Sequence, residues 1–598
     1  MDRFYRHRAL WFVLVSVLLI SGIIYAYQGI QLNTFHLDDF DNIVSHQPIR
    51  IDKFSVTALI NAGNNGFLVQ RYLPNVSFAI DWWRGGGQAE AFLDTNLFLH
   101  CLTSLAFFLL LHRIFSLVAP NQKTSFQLFA TLFLVTLLWS VHPLQTQSVT
   151  YVVQRMTTMA ALFTVLSLWA YMQWRLSVNK RYIWALLLIG SCVAAIFSKE
   201  NAYIIPVLLV LTEYGVIRHK KALINHYRDW LILLSLGVLS ILIILDLFNT
   251  SGFIHSLYQG SYQHRDFTLY ERLLTQPRVI FFHLSQFFWP VPARFSIEHS
   301  IVISQSILSP MTTLYSILAL VLWIALGIAL ILKQHFRLWG YFILWIPSTL
   351  AIESSFVPLE MVFEHRMYLP LFGLMGLVAM VFRWMLGMHS AHQWATKFLY
   401  LGLCFFIFVS CWATRQRLPD WRTKITLFES AVDNAANSDR LWGNLSTYYY
   451  RDGQINKSIQ AAQKTLRLNP DNSDALETMG VIYMDRNQLV RAEEKLRSAL
   501  VQHPRSSGFN HWGELKLKQG QPEKAMISFL KAIELSPWIA SYHWNVALTY
   551  EQLNRCRRSR QHWLEYIRLA GGDLVGILDV NQHLKEEYNQ PSGKCFSN

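Results

Sequence analysis

Residues 9–27 read ALWFVLVSVLLISGIIYAY, and residues 36–41, shortly after them, read HLDDFD. An uncharged segment of this length is close to the roughly 20 apolar residues that cross a bilayer as a helix. Arg3, Arg6 and Arg8 precede the segment, and such cations mark the cytoplasmic end of a span. No small-residue cleavage site follows, so we expect the helix to be retained. The start of the chain therefore predicts a membrane helix whose outer end carries paired carboxylates.

The same apolar pattern recurs along the first two thirds of the chain. Segments able to span a bilayer are predicted at 9–27, 95–112, 126–142, 150–172, 182–198, 201–217, 229–248, 312–332, 339–352, 369–387 and 396–413. Lys and Arg gather in the short loops on one side, which we assign to the cytoplasm. An odd number of spans then places everything after Thr414 outside. A further apolar stretch, 278–292, is interpreted as re-entrant or as lying against the membrane.

Charged residues are unevenly distributed. Hydrophobic residues make up 53% of the 598 residues and charged residues 15%, against roughly 25% charged in soluble domains. From Thr414 onward 45 of 185 residues are charged, and the first 413 residues carry the same number. This contrast divides the chain into a membrane part and a soluble part. Much of the net charge of +14 lies in the membrane loops, so we exclude nucleic-acid binding.

Three prolines recur at the period of a helical repeat. Pro470, Pro504 and Pro537 are separated by 34 and 33 residues, the period of tetratricopeptide repeats. Met479-Gly480 and Trp512-Gly513 stand at matching offsets within the period. A helix pair cannot bury its apolar face alone, so the sequence predicts about four stacked pairs in an α-solenoid. Such an array either binds a protein in its groove or acts as a rigid spacer.

The six cysteines form no metal-binding spacing. Four fall in apolar segments, where we expect inert packing: Cys101, Cys192, Cys404 and Cys411. Cys556 and Cys595 lie in the soluble part. They could pair if that part is in an oxidising compartment.

The carboxylate pair Asp38-Asp39 follows the first span. Acidic residues at a membrane face are costly unless they are solvated or functional. A carboxylate there could deprotonate or orient a hydroxyl acceptor. Asp41 adds a third oxygen donor, so the three could also hold Mg²⁺ or Mn²⁺, which prefer such ligands. The alternative is a solvated loop start that caps a helix.

Cations from distant parts of the chain are expected at the same face. A phosphate leaving group needs such partners, because arginine binds phosphate oxygens in a bidentate manner. The candidates for phosphate binding are Arg71, Arg155, Lys199, Arg278 and Arg366. The candidates for acid–base or orienting roles are Glu364, His365, His142, Glu200 and Tyr368. Any one cation is better explained as an interfacial anchor, but together they indicate a phosphate and acid–base site.

Six motifs, followed by the repeats, resemble a known family. They are Asp38-Asp39-Phe40-Asp41-Asn42-Ile43-Val44, Asn96-Leu97-Phe98-Leu99-His100, His142-Pro143 through Tyr151 and Arg155, Ser198-Lys199-Glu200-Asn201, Glu364-His365-Arg366-Met367-Tyr368-Leu369-Pro370, and Asp420-Trp421. In this order they resemble the transmembrane and tetratricopeptide repeat-containing O-mannosyltransferases and, more broadly, membrane glycosyltransferases of the GT-C fold. Gln147 stands where the family has Glu, and Leu93 where it often has His. Thr275-Gln276-Pro277-Arg278 resembles a bacterial form, so mannose specificity is not carried over.

The resemblance implies a specific chemistry. A polyprenyl-phosphate or polyprenyl-diphosphate sugar would enter from the bilayer, and Asp38 or Asp39 would activate an acceptor hydroxyl. Arg366, with other cations of the group, would hold the lipid phosphate, and a metal-independent single displacement would invert the anomeric centre. The repeats would present a protein acceptor outside a bacterial inner membrane. Two alternatives stay open: sugar transfer to lipid A, a wall polymer or another glycan, and a non-catalytic scaffold or lipid-sugar transporter.

These expectations divide the chain into four parts. Residues 1–413 form an all-α transmembrane catalytic domain, with the carboxylate pair in its outer loop, 28–94. Residues 414–436 connect it to the repeats at 437–572, and residues 573–598 form a C-terminal tail.

Overall fold

The computed structural model describes residues 8–118, 126–177, 180–217, 262, 265–386, 393–570, 574–589 and 595. Within these ranges the regular secondary structure is helical, and no strand longer than the single bridge between Ser306 and Ser309 is present. The expected all-α class is therefore confirmed for this part of the chain. The chain divides into two compact units, Met1–Arg422 and Thr423–Asn598.

The described part of the first unit contains fourteen α-helices joined by short 3-10 and π turns. They are α1 (Arg8–Ala26), α2 (Val56–Asn64), α3 (Tyr72–Gly85), α4 (Ala89–Val118), α5 (Phe126–Val141), α6 (Thr146–Thr150), α7 (Arg155–Leu176), α8 (Arg181–Ile196), α9 (Ile205–Gly215), α10 (Leu269–Phe288), α11 (Thr312–Leu332), α12 (Arg337–Leu350), α13 (Leu371–Leu386) and α14 (Gln393–Arg417).

Several of these helices have the length and hydropathy needed to cross a bilayer. Five such segments occur: Leu10–Leu32, Ala89–Val118, Val152–Leu176, Thr312–Leu332 and Trp394–Trp421. A sixth arises if α5 and Pro143–Thr150, which are bent by 53° relative to each other, are counted as one span. The predicted count of eleven is therefore not confirmed within the described residues.

Breaks in the helices account for much of this difference. α8 and α13 are apolar but have only 16 residues each, while α9 has 11 and α12 has 14. The predicted span 229–248 lies outside the described residues. The stretch 278–292, which the sequence indicated as re-entrant or as lying against the membrane, falls largely within α10, an amphipathic helix of 20 residues.

The chain between α5 and α7 is a broken helix buried in the protein. Pro143 cannot donate a backbone hydrogen bond, and α5 ends two residues before it. The side chains from Gln145 to Thr150 are at most 1% exposed. Irregular backbone at membrane depth is tolerated only where protein or a cavity surrounds it, so this segment can present side chains inside the unit.

Small residues let neighbouring helices approach closely. A β-carbon added at Gly340 of α12 would lie 2.3 Å from the backbone nitrogen of Ile331 on α11. One added at Gly376 of α13 would lie 2.1 Å from the ring of Phe342 on α12. Glycine permits close contact with the backbone of α11 at Gly340 and with the Phe342 side chain at Gly376. This packing fixes α12, whose C-terminal end leads into a loop of the candidate site.

The second unit begins with α15 (Lys424–Asn434) and continues as four helix pairs. The pairs are α16 and α17 (Asp439–Arg451 and Ile455–Leu468), α18 and α19 (Ser473–Asp485 and Leu489–Gln502), α20 and α21 (Ser506–Lys518 and Pro522–Leu535), and α22 and α23 (Ala540–Gln552 and Cys556–Ala570). Buried residues of successive pairs pack together, such as Phe529 against Val546. The helix pairs agree with the predicted repeat.

A terminal helix, α24 (Leu574–Asn589), covers the last pair. Val580 packs in one apolar cluster with Trp563. The Glu551 carboxylate accepts hydrogen bonds from Trp563 Nε1 and from the Tyr588 hydroxyl, both over 2.7 Å. A carboxylate that gathers donors from two helices fixes their relative position.

The end of the chain is also joined to α23 covalently. The sulfurs of Cys556 and Cys595 form a disulfide, which the sequence left open. The Cys595 N–H donates to the Glu587 carbonyl over 3.0 Å. The last described residue is thereby attached to the repeat unit.

Candidate functional site

The neighbouring Asp38 and Asp39 have opposite environments. Leu37 before them has a φ of +44°, in the left-handed region. Asp39 is 0% exposed; its Oδ2 accepts the His36 N–H over 2.9 Å and its Oδ1 accepts the Val153 N–H over 2.7 Å. Asp38, by contrast, is exposed. The pair therefore supplies one internal brace and one accessible carboxylate.

Asp39 joins the loop after α1 to the turn before α7. Burial raises the pKa of Asp39 to about 8, although the hydrogen bonds from His36 and Val153 act in the opposite direction. A π-helical turn, Phe40–Val44, begins directly after Asp39. Because the backbone engages both of its oxygens, Asp39 has the geometry of a residue that holds this loop in place.

Asp38 is accessible to solvent but is closely surrounded by other residues. Its side chain reaches solvent, while enough protein surrounds it that burial raises its pKa. The Tyr151 phenol and the charge of Arg71 lower the pKa of Asp38, whereas Asp41 and Glu360 raise it. The Asp38 N–H donates to the Tyr151 hydroxyl over 2.8 Å. An accessible carboxylate with a raised pKa is suited to accept a proton.

Arg71 and Glu200 form a bidentate ion pair beside Asp38. Arg71 Nε and Nη2 donate to the Glu200 carboxylate over 3.1 and 3.0 Å. Burial raises the pKa of Glu200, but the charge and hydrogen bonds of Arg71, together with the charge of Lys199, outweigh it, so the pKa falls below its ordinary value. The side chains are 21% and 38% exposed, so a phosphate can compete with Glu200 for the guanidinium.

Lys199 forms a second ion pair. Its Nζ lies 2.6 Å from Glu353 Oε1 and donates to Thr157 Oγ1 over 3.0 Å. Burial lowers the pKa of Lys199, and the charge of Glu353 opposes that shift. Glu353 comes from the loop after α12 and was not among the candidate residues.

Two guanidinium groups hold that loop. Arg272 of α10 donates to the carbonyl oxygens of Glu353 and Ser355 over 2.8 and 2.9 Å. Arg366 donates through Nη1 to the Met361 carbonyl over 3.0 Å and through Nη2 to the Glu360 carbonyl over 2.5 Å. Arg366 was expected to bind phosphate, and the contacts observed are those of a loop clamp.

A third ion pair lies at the same loop. Arg265 Nη1 is 2.5 Å from Glu360 Oε1, and both side chains are partly exposed. Glu360 also acts electrostatically on Asp38 and on Arg366. The site thus combines one accessible aspartate with three cation–carboxylate pairs, namely Arg71–Glu200, Lys199–Glu353 and Arg265–Glu360.

Glu364 and His365 are buried neighbours with different partners. Glu364 Oε1 accepts the Ser296 N–H over 2.6 Å and lies 3.3 Å from His299 Nε2. The His365 N–H donates to Gln147 Oε1 over 2.9 Å. Burial lowers the pKa of His365 well below its ordinary value, and nearby cations lower it further, so the ring is neutral at pH 7. Gln147 serves here as a neutral acceptor.

Arg155 has a different role from the one expected. Its Nη2 lies 2.5 Å from Asp81 Oδ2, its Nε donates to Asn96 over 2.7 Å and its Nη1 donates to Ser77 over 3.1 Å. The side chain is 0% exposed, and the Phe78 ring lies 4.7 Å from the guanidinium carbon. With all three nitrogens engaged inside the protein, Arg155 braces α3 against α4 rather than binding a lipid phosphate.

Three further candidates also have local partners. Arg278 donates to the Val302 carbonyl over 2.6 Å. The Tyr368 hydroxyl lies 2.7 Å from His100 Nδ1, and His142 Nε2 lies 3.1 Å from a backbone carbonyl of α10. These contacts connect separate segments of the unit, and the structure does not bring these three side chains to the ion pairs around Asp38.

The three carboxylates considered for Mg²⁺ or Mn²⁺ do not converge. Asp39 faces the backbone, whereas Asp38 and Asp41 are exposed. Throughout the described ranges, no group of three or more His, Cys, Asp or Glu side chains is arranged to hold a metal ion.

Several charged residues of the site lie outside every motif that the sequence offered. Glu353, Glu360 and Arg272 belong to this group, and so does Asp81, the partner of Arg155. The signal that could have found them is their charge, because ionisable residues beside or within apolar segments usually have a partner.

Known proteins include distant relatives of this chain. Protein O-mannosyl-transferase Tmtc3 of Drosophila melanogaster is 24% identical over 441 residues, covering 65% of this chain and 46% of the relative. Protein O-mannosyl-transferase TMTC3 of Mus musculus is 23% identical over 260 residues, covering 34% of this chain and 27% of the relative. The chain thus spans less than half the length of these relatives. The resemblance noted in the sequence is confirmed as a distant relationship.

The repeats have their own match. The family model of the tetratricopeptide repeat matches residues 509–537, which confirms the repeat type. Among solved structures, PilF of Pseudomonas aeruginosa is 19% identical, with a TM-score of 0.23, covering 30% of this chain and 90% of that chain.

Proposed function

We propose that this distant relative of the protein O-mannosyltransferases is a membrane glycosyltransferase of the GT-C type. It would move a sugar from a polyprenyl-phosphate or polyprenyl-diphosphate donor to a hydroxyl group of a protein. The observation that carries the proposal is Asp38, an accessible carboxylate set among cation–carboxylate pairs. The relatives are named as mannosyltransferases, but the proposal does not specify which sugar this chain transfers.

Asp38 would act as the general base. It takes the proton of the acceptor hydroxyl while the acceptor oxygen bonds to the anomeric carbon of the sugar. The bond from that carbon to the phosphate oxygen breaks, and the lipid phosphate leaves with the electron pair. A single displacement of this kind inverts the anomeric configuration. Partial burial of Asp38 raises its pKa, which strengthens it as a base.

The lipid phosphate would bind at the ion pairs. Arg71 is partly exposed and presents a guanidinium that matches phosphate oxygens. The phosphate would take the place of Glu200, and developing negative charge on the leaving group would be stabilised by Arg71 and Lys199. Arg366 and Arg272 would contribute indirectly, since they fix the loop that carries Glu353.

The remaining expectations concern the membrane and the repeats. We propose a multi-pass protein of a bacterial inner membrane with about eleven spans, a cytoplasmic N-terminus and extracytoplasmic repeats that bind the protein acceptor. The Cys556–Cys595 disulfide supports this side for the repeats, because disulfides persist in oxidising compartments. The domain limits proposed from the sequence, 1–413, 414–436, 437–572 and 573–598, are kept.

A transfer assay tests the proposal. The purified chain in detergent is given a panel of polyprenyl-linked sugars with envelope proteins as acceptors, and sugar on protein is measured. We expect transfer by the wild type and a loss of about 100-fold or more in Asp38→Asn, the contribution typical of a general base. Asp52→Asn, at an exposed aspartate of the same outer loop, is the matched control.

The other readings give different results in the same assay. Donor consumption with sugar on a lipid or glycan, and none on protein, would move the acceptor to lipid A, a wall polymer or another glycan. Donor binding without consumption would indicate a transporter, and no binding a scaffold. Undiminished transfer in Asp38→Asn would place the base elsewhere.

A further inference from the structure

The backbone of Asp38 belongs to a series of contacts that joins three separate motifs. The Asp38 N–H donates to the Tyr151 hydroxyl over 2.8 Å. The Tyr151 ring lies beside the Trp421 ring, with centroids 5.8 Å apart. The Trp421 carbonyl oxygen lies 2.7 Å from His36 Nε2, and the His36 N–H donates to Asp39. Tyr151 and Trp421 are 2% and 1% exposed, so the contact between these two rings is shielded from water.

We propose that Tyr151 is a positioning residue that orients the Asp38 carboxylate for the reaction, and that Trp421 fixes Tyr151 in turn. This inference rests on the proposed function, because it concerns the base of that reaction. The proposed reaction gave no role to Tyr151 or Trp421. The inference assigns both residues to the positioning of Asp38.

The hydroxyl of Tyr151 can serve both parts of Asp38. Its oxygen accepts the backbone N–H, so its own proton remains available for the carboxylate of the same residue. The Trp421 ring restricts where the Tyr151 ring can move. A base must be held close to its productive geometry, since a displacement of about 1 Å can reduce a rate about 100-fold.

Removal of the Tyr151 hydroxyl should affect the chemical step of the reaction and not the binding of the donor. The cations proposed to bind the donor, Arg71 and Lys199, have carboxylate partners and no hydrogen bond to Tyr151 among the described residues. Loss of the Tyr151 hydroxyl should therefore lower kcat and leave the donor KM nearly unchanged. If Tyr151 only stabilised the fold, its substitution would instead reduce the amount of active enzyme, and by the same factor whether or not Asp38 was also substituted.

The test is a double-mutant cycle in the transfer assay. Tyr151→Phe removes the hydroxyl and keeps the ring beside Trp421. We expect kcat to fall about 10- to 100-fold, the range for a hydrogen bond to a charged group, with KM changed less than about twofold. In an Asp38→Glu background, where the carboxylate is already displaced, Tyr151→Phe should lower kcat less than about twofold further. Tyr182→Phe, at a tyrosine that is 87% exposed, is the matched control.

A second measurement does not need activity. The infrared carboxylate band that disappears in Asp38→Asn reports the surroundings of Asp38, and we expect Tyr151→Phe to shift it while Tyr182→Phe does not. An unshifted band, wild-type kcat in Tyr151→Phe, or equal losses in both backgrounds would overturn the positioning role. If the wild type transfers no sugar, the proposed function fails, and the infrared band alone decides the role of Tyr151.

Discussion

A buried ion pair of the first unit and an exposed ion pair of the second differ in how far water reaches them. In the first unit the side chains of Arg155 and Asp81 are 0% and 3% exposed. In the second unit those of Lys531 and Glu534 are 44% and 66% exposed. A buried charge that loses its partner stays in a medium of low polarity, whereas an exposed one is rehydrated. The first unit therefore depends on a few individual contacts, while the repeats distribute their stability over many similar interfaces.

The largest effect is expected at the most buried pair. Asp81→Asn leaves the Arg155 charge uncompensated, which costs about 3–5 kcal/mol for a buried pair. The midpoint of thermal unfolding in detergent should fall by roughly 3–6 °C, because a unit of this size unfolds with a large entropy change. Replacing both partners, as Arg155→Met with Asp81→Leu, should restore part of the loss because no lone charge remains. An unchanged midpoint in Asp81→Asn would show that the first unit does not depend on its buried ion pairs.

A smaller effect is expected where some water reaches the pair. Lys199 and Glu353 are 10% and 6% exposed. Lys199→Met leaves the Glu353 carboxylate without its cation, and we expect a loss of about 2 kcal/mol, measured by the same thermal unfolding. Adding Glu353→Gln should recover most of it. A loss as large as that of Asp81→Asn would show that partial exposure does not matter here.

In the repeats, His511 and Glu477 form a pair whose strength depends on pH. Burial lowers the pKa of His511, but the hydrogen bond and charge of Glu477 outweigh it, so the pKa is raised. The stabilisation is therefore complete below the unfolded pKa of about 6.5 and is lost as pH rises through the folded pKa. Hydrogen exchange of α20, corrected for intrinsic rates, should be slower at pH 6 than at pH 8. The difference corresponds to a free energy of opening that is higher at pH 6 by about 1 kcal/mol or less. Glu477→Gln should abolish the difference, and a larger protection at pH 8 would contradict it.

The smallest effect is expected at the exposed pair. Lys531→Gln should change the stability of α21 by less than about 0.5 kcal/mol, because the Glu534 charge is rehydrated. The wild-type contribution should also disappear in 1 M salt. Local hydrogen exchange of α21 measures both. A loss above about 1 kcal/mol would mean that the repeats also contain individually important pairs.

The sequence predicted best what is local. Pro470, Pro504 and Pro537 mark the helix pairs because each pair is built from residues close together in the chain. Spans were harder to count, since hydropathy does not register the break at Pro143 or the short helices that follow. A broken helix and a continuous one have the same average hydropathy.

Pairings across the unit could not be read from the sequence. The carboxylate pair was found, but Asp38 and Asp39 looked equivalent because their difference arises from Val153 and Tyr151, more than 100 residues away. Arg155 was taken for a phosphate ligand because its partner Asp81 belonged to no motif. A charge can be located from the sequence, whereas its partner depends on tertiary packing.

The backbone at Leu37 is strained in the conformation that exposes Asp38 and buries Asp39. A branched side chain at a φ of +44° is strained by about 1 kcal/mol or more, and glycine would adopt the same backbone freely. Glycine would also give the backbone more freedom at that point and loosen the arrangement that exposes Asp38 and buries Asp39. Leucine restricts this movement because it has fewer alternative backbone conformations. Leu37→Gly would therefore relieve the strain and stabilise the protein, but it would leave Asp38, the proposed base, less firmly positioned and lower the activity.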